Sequence, residues 1–196
     1  MEIYNVNDLT NNNLTNLPSL KKEVSEEISV RPILAFKKKV KSTPWYGKLI
    51  SWWCKSPYYH VEIILNKKWI SASPDENVYV RDIRNPLKPE WDYMILPEVK
   101  LNKHTYEAIE NYAFAQHGVK YDMYSIVFSM VLPWDLNCAN KWFCSELVVE
   151  ILRLLGYKVL YDYQPNTVSP GKLFKILSIL PEKEILTSNE SIYIHL

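Results

Sequence analysis

Strand-like and helix-like patterns occupy different halves of this chain, and that segregation limits the available folds more than any other feature. From Ile33 to Leu96 the apolar residues come in short runs rich in β-branched and aromatic side chains. These are ILAF (33–36), YYHVEIIL (58–65), WISAS (69–73), VYVRDI (78–83) and YMIL (93–96), each of which reads as a strand. Asn66-Lys67 reads as a hairpin turn between the second and third runs. One helix interrupts the strands, with Thr43 as N-cap, Pro44 at N1, and Trp45, Leu49 and Trp52-Trp53 at helical spacing before Pro57.

From Asn102 onward the spacing is helical. Asn102 or Thr105 caps a helix carrying Tyr106, Ile109, Tyr112 and Ala113, with Gly118 as its C′ stop. Asp122 caps a second, through about Val131, and Trp134–Trp142 reads as a polar loop. Cys144–Leu155 places Leu147, Val148, Ile151, Leu154 and Leu155 on one stripe, closed by Gly156. Ser169-Pro170 starts a last helix to about Ile179, and Ser191–Leu196 reads as an edge strand. Residues 1–30 read as an N-terminal extension or arm: Asn-rich, punctuated by Pro18, with a short charged helix over Leu17–Ile28. Residues 31–196 form the domain. The order of extension, strands and helices defines an α+β domain with a small antiparallel sheet.

Composition removes several functions. Lys and Arg number 23 against 22 acids, a net charge of +1, whereas general nucleic-acid binders carry a basic excess. Only four glycines occur where average usage gives about 14. No glycine-rich phosphate cradle can be written from Gly47, Gly118, Gly156 and Gly171. No apolar stretch approaches the length of a transmembrane helix. Met1–Asn16 lacks the basic start and apolar core of a secretory signal, so synthesis in the cytoplasm without a leader is expected. Cys54, Cys138 and Cys144 are too few and too irregular for a disulfide framework, and no nearby histidine completes a zinc spacing. No metal or organic cofactor is expected.

Cys144 opens a helix after a polar loop. A helix N-terminus carries about half a positive charge and unpaired N–H groups. Both favour thiolate over thiol, and the same amides can stabilise an oxyanion. A small buried core residue is the plainer reading, since free cysteine is often buried. Of the four histidines, His60 alone lies within a strand, where it can serve as the base of a Cys–His pair. Glu62 shares its sheet face and is the candidate third group. Across a two-residue hairpin Ser73 falls opposite His60 and Ser71 opposite Glu62, which makes Ser71 the rival.

The runs YYHVEIIL, WISASPDENVYV, KYDMYS and WFCSELV resemble the circularly permuted papain-like enzymes. These include the YiiX-like bacterial proteins, poxvirus and phage relatives, and more distantly the lecithin:retinol acyltransferase-like proteins. All are permuted kin of the NlpC-type cell-wall peptidases. The resemblance covers about Arg31–Ile179 and is greatest to phage-encoded members. It implies a sheet or half-barrel with the nucleophile helix packed against it, Cys144 as nucleophile and His60 as base and acid. The family's third residue, often Glu on the next strand, falls at Ser71, a departure that leaves Glu62 or Ser71 for that role. Tyr121, Ser145 and Glu146 also match and would shape the cleft. The implied activity is hydrolysis of an amide, ester or thioester, with peptidoglycan or an acylated or peptide substrate. Acyl transfer or lipid hydrolysis is the alternative, and so is a virion protein serving assembly or ejection, docked through the N-terminal arm.

One segment lies outside that reading. Lys37-Lys38-Lys39-Val40-Lys41 precedes Trp45, Tyr46, Trp52 and Trp53. Such a pattern suits a single-strand nucleic-acid platform, an interfacial membrane helix, or a solvated turn before a helix that roofs the core.

Overall fold

Two positive-φ residues start the sheet. Strands β3 (Tyr58–Leu65) and β4 (Lys68–Ser73) are joined by Asn66 and Lys67, with φ of 43° and 60°. That is the backbone a type I′ turn requires, and its twist suits the paired strands. The register runs Leu65↔Lys68, Ile64↔Trp69, Ile63↔Ile70. The computed structural model describes residues 26–82, 90–121 and 141–186.

Around this hairpin lie β2 (Ile33–Lys38), β5 (Asn77–Asp82), β6 (Trp91–Ile95) and β10 (Glu184–Leu186). The order across the sheet is β10-β6-β2-β3-β4-β5, and every neighbouring pair is antiparallel. Two small pairs flank it. β1 (Glu27–Val30) lies antiparallel to β7 (Val99–Asn102), and β8 (Lys120–Tyr121) lies parallel to β9 (Lys141–Trp142). The described helices are α1 (Trp45–Trp53), α2 (Lys103–Ala115), α3 (Cys144–Leu154) and α4 (Pro170–Leu177). The class is α+β, as the segregated patterns imply. No helix among the described residues is long and apolar enough to cross a membrane.

Strand alternation sorts the core. Val61, Ile63, Ile70 and Ala72 meet Leu147, Val148 and Ile151 of α3 in the main cluster. Residues of the other parity, Ile33, Ala35 and Ile64, pack with Trp91 and Tyr93 on the opposite face. Each large side chain so buried contributes about 1.5–3 kcal/mol. β3 and β4 cover Leu147, Val148 and Ile151 of the α3 stripe, but Leu154, expected on it, is exposed because it lies at the helix end; Gly156, at φ 94°, turns the chain out of the helix. Residue 47 of α1 has to be small. A Cβ there would lie 2.7 Å from Thr43 Cγ2 and 2.7 Å from the Tyr59 ring.

Several local expectations need correction. The helix expected over Leu17–Ile28 does not reach its end, because Ile28 and Val30 belong to β1, paired with β7; its earlier residues lie outside the described set. Thr43 does not cap α1. Its hydroxyl accepts from the Val40 N–H at 2.8 Å, and Pro44, extended at ψ 158°, is the N-cap. Asn102 caps α2 by accepting from the His104 N–H, but the C-cap is Gln116. Gly118, at φ 83°, lies two residues on and donates to Val78 O, tying the helix exit to β5. Lys141–Trp142 is β9 rather than the end of a loop. The last helix ends at Leu177, short of Ile179. The helix after Asp122 and the strand at Ser191–Leu196 lie outside the described residues, while Glu184–Leu186 forms an unforeseen sheet edge.

Lys67→Gly should raise unfolding stability by about 1 kcal/mol, since glycine adopts positive φ without the Cβ penalty. Gly47→Ala should lower it by about 1–3 kcal/mol through overpacking against Tyr59. Urea melts of the two variants beside the parent test both signs.

Candidate active site

His60 owes its position to a fault in the sheet. β2 pairs Lys37 with His60 but Lys38 with Tyr58, so Tyr59 is the extra residue of a β-bulge. A bulge bends the strand and re-aims neighbouring side chains. Tyr59 turns against Ile50 of α1, and His60 meets the edge of Trp91 with ring centroids 5.9 Å apart. Sequence alternation alone gives no sign of this step.

Cys144 is the first residue of α3, preceded by the extended N-cap Phe143, which makes no side-chain cap. The first-turn amides of such a helix have no intrahelical acceptor. The cysteine is 3% exposed, and it lies close enough to the His60 ring to act on its ionisation. Strand and helix therefore bring together the two residues that the sequence singled out.

Both candidates for the third group are present at once. His60 Nε2 lies 3.1 Å from Glu62 Oε1 and 3.1 Å from Ser71 Oγ. Ser71, which the hairpin register sets beside Glu62, reaches His60 on the diagonal. With Nε2 engaged by these two, Nδ1 is the nitrogen left for the cysteine. A carboxylate accepts more strongly than a hydroxyl, so Nε2–H is directed chiefly to Glu62. Glu62 is buried rather than a solvent-facing strand residue.

Tyr79 is the member sequence reasoning missed. Its hydroxyl donates to Glu62 Oε1 at 2.5 Å, and it stands directly opposite Ser71 in the β4–β5 ladder. The Arg81 guanidinium covers its ring at 3.7 Å. Tracing the register through the Pro74–Glu76 turn to Ser73↔Asn77 was the signal that would have found it. Tyr121 packs against the main core, and Ser145 is fully buried, its hydroxyl without a hydrogen-bond partner among the described residues. Cys138 lies outside them.

The electrostatics favour a charged ring. Burial works against imidazolium, but the Cys144 charge and hydrogen bond, then the Glu62 hydrogen bond and charge, outweigh it and push His60 up to about 10. Burial, followed by the Glu62 charge and hydrogen bond, drives Tyr79 far upward, so it remains a donor. Burial also pushes Cys54 up, opposed by a hydrogen bond with Ser169 and reinforced by the Cys144 charge. The arrangement places a charged imidazole ring beside Cys144, with backbone donors at a helix start. Among the described residues no group of three His, Cys, Asp or Glu could hold a metal ion.

No protein-family model matches this chain, and no curated protein matches it. The fold and site therefore stand on their own geometry, which defines an α+β protein with a buried Cys–His contact.

A folded pKa above the ordinary 6.5 stabilises the fold fully below pH 6.5 and loses that contribution as pH climbs through about 10. Stability should therefore decline over that window, and less steeply in His60→Asn. Cys144→Ala removes the largest upward influence, so the His60 titration followed by NMR should move down.

Proposed function

We propose that this chain is a cysteine hydrolase of the permuted papain-like kind, acting on amide bonds of cell-wall peptides. The observation that carries the reading is the buried Cys144 at a helix start beside His60, whose Nε2 is held by Glu62 and Ser71. Order along the chain supports it too, since the histidine strand precedes the cysteine helix. The resemblance of the HVE and Ser-Ala-Ser strands to phage-encoded members directs the choice of bond.

In this mechanism the Cys144 thiolate attacks the scissile carbonyl carbon, forming a C–S bond. The Cys144 backbone N–H stabilises the resulting oxyanion. Imidazolium His60 gives its proton to the leaving amine as the C–N bond breaks, leaving a thioester. His60 then takes a proton from water, whose oxygen attacks the thioester. Collapse of the tetrahedral intermediate breaks the C–S bond and returns the thiolate; His60 keeps the proton taken from water, and the carboxylic acid product gives its own proton to solvent. Glu62 is a positioning residue. It fixes the ring tautomer and offsets imidazolium charge, while Tyr79 and Ser71 hold the carboxylate and ring in register.

Purified peptidoglycan incubated with the protein should yield new free amines. Cys144→Ala and His60→Ala should each cut the rate by about 10²–10⁴-fold. Glu62→Gln should lower the rate and shift the pH profile, whereas Ser71→Ala should do neither strongly. Iodoacetamide at pH 6 should label Cys144 faster than Cys54, whose thiol burial keeps protonated. Equal, slow labelling of both would overturn the ion-pair form of the mechanism.

A further inference from the structure

Helix α1 has two unlike faces. Gly47, Ile50 and Ser51 turn inward, with Ile50 against Tyr59. Trp45, Trp52 and Trp53 turn outward, 67%, 69% and 50% exposed. At 100° per residue Trp45 and Trp52 lie within about 20° of each other, with Lys48 about 40–60° to one side and Trp53 about 80–100° to the other. Three large indoles on nine helical residues have no core to fill here, because the buried face already seats the helix.

The chain segment that carries these rings is basic. No acid occurs between Glu27 and Glu62, while Lys37, Lys38, Lys39, Lys41, Lys48, Lys55 and Arg31 fall in that interval. Lys39, Lys41, Lys48 and Lys55 are exposed, as is Val40 among them. Lys38 is paired with Asp92 at 2.7 Å, and Lys37 lies over the Trp91 ring at 5.3 Å. The acid nearest the helix in contact is Asp75, which accepts from Tyr46 at 3.3 Å.

We infer that the outer face of α1, with the Lys39–Lys41 turn, docks on an anionic phospholipid bilayer. Indoles prefer the boundary between headgroups and acyl chains, where the ring is apolar and the N–H stays wet. Exposed lysines around them meet lipid phosphate, and each contributes through the negative surface potential. An amphipathic element of this composition lies in the interface plane rather than crossing it. A single-stranded nucleic acid fits the same charge less well. Trp52 and Trp53 are inclined at 52° with centroids 6.4 Å apart, so they offer no parallel pair of faces for a stacked base. The inference does not depend on reaction at Cys144.

Sedimentation with vesicles decides it. The chain should pellet with phosphatidylcholine–phosphatidylglycerol vesicles at low salt, stay in solution with phosphatidylcholine alone, and be released by high salt. Trp52→Ala with Trp53→Ala should weaken binding about tenfold or more. Lys41→Glu and Lys48→Glu should each weaken it by at least about fivefold. All these side chains are exposed, so the melting temperature should hold, and Cys144→Ala should bind as the parent does. Absence of binding to the anionic vesicles, or equal binding to both compositions, would overturn the inference. So would a single-stranded oligonucleotide that binds more tightly than the vesicles and loses affinity with the same lysine variants.

Discussion

A buried carboxylate has to be satisfied, and much of the sheet is arranged as though Glu62 set the terms. Its Oε1 receives the Tyr79 hydroxyl at 2.5 Å and faces His60 Nε2 at 3.1 Å. An unpaired charge at this depth would cost several kcal/mol. The pairing needs β3, β4 and β5 in one register, because Tyr79 reaches Glu62 only from its place opposite Ser71. A one-residue slip of β3 would carry Glu62 to the face where Val61 and Ile63 pack under α3. Apolar alternation and polar satisfaction thus specify the same pairing, and neither is left as the sole constraint.

The bulge at Tyr59 reconciles that register with the helix. A regular strand would hold His60 strictly in line with Glu62 and Ile64, on the face that packs Trp91 and Tyr93. Pairing stays regular as far as Lys37↔His60, so the ring keeps that face beside Trp91, and the extra residue falls just beyond it, at Tyr59. Tyr59 is then held by α1, where Gly47 permits an approach that any Cβ would block. Support for the site therefore extends through Tyr59 to a helix that touches neither His60 nor Cys144 chemically.

Features whose cause is local were legible in the sequence. Tyr58–Leu65 is the strand its β-branched and aromatic run implies, and Asn66-Lys67 is the turn between two such runs. Cys144 opens its helix and Gly156 ends it because stripe and stop are adjacent in the chain. What was not legible depends on partners distant in sequence. β1 and β10 are short, weakly patterned segments that become strands only because β7 and β6 present free edges. Tyr79 needed the register of a second hairpin, and the bulge needed the pairing of β2. Thr43 has the side chain of a cap, yet the Val40 amide competes for its hydroxyl and wins. Glu62 and Ser71, the two rivals, both lie 3.1 Å from His60 Nε2, which no pattern along a single strand could show.

Charge arithmetic is silent on placement. A net of +1 excludes a protein that is basic throughout, but a sum over the chain is blind to where its terms sit. The acids that balance the chain lie before Ile28 or after Val61, leaving the intervening segment entirely basic. Screening limits exposed charges to interactions within about 10 Å at moderate salt. A ligand at the outer face of α1 therefore experiences the exposed Lys39, Lys41, Lys48 and Lys55 with Asp75 as a nearby acid, rather than the net charge of the whole chain. The same helix can pack on β3 with one face and present a basic aromatic surface with the other. Its inward residues are small or aliphatic, and every indole it carries points away from the core.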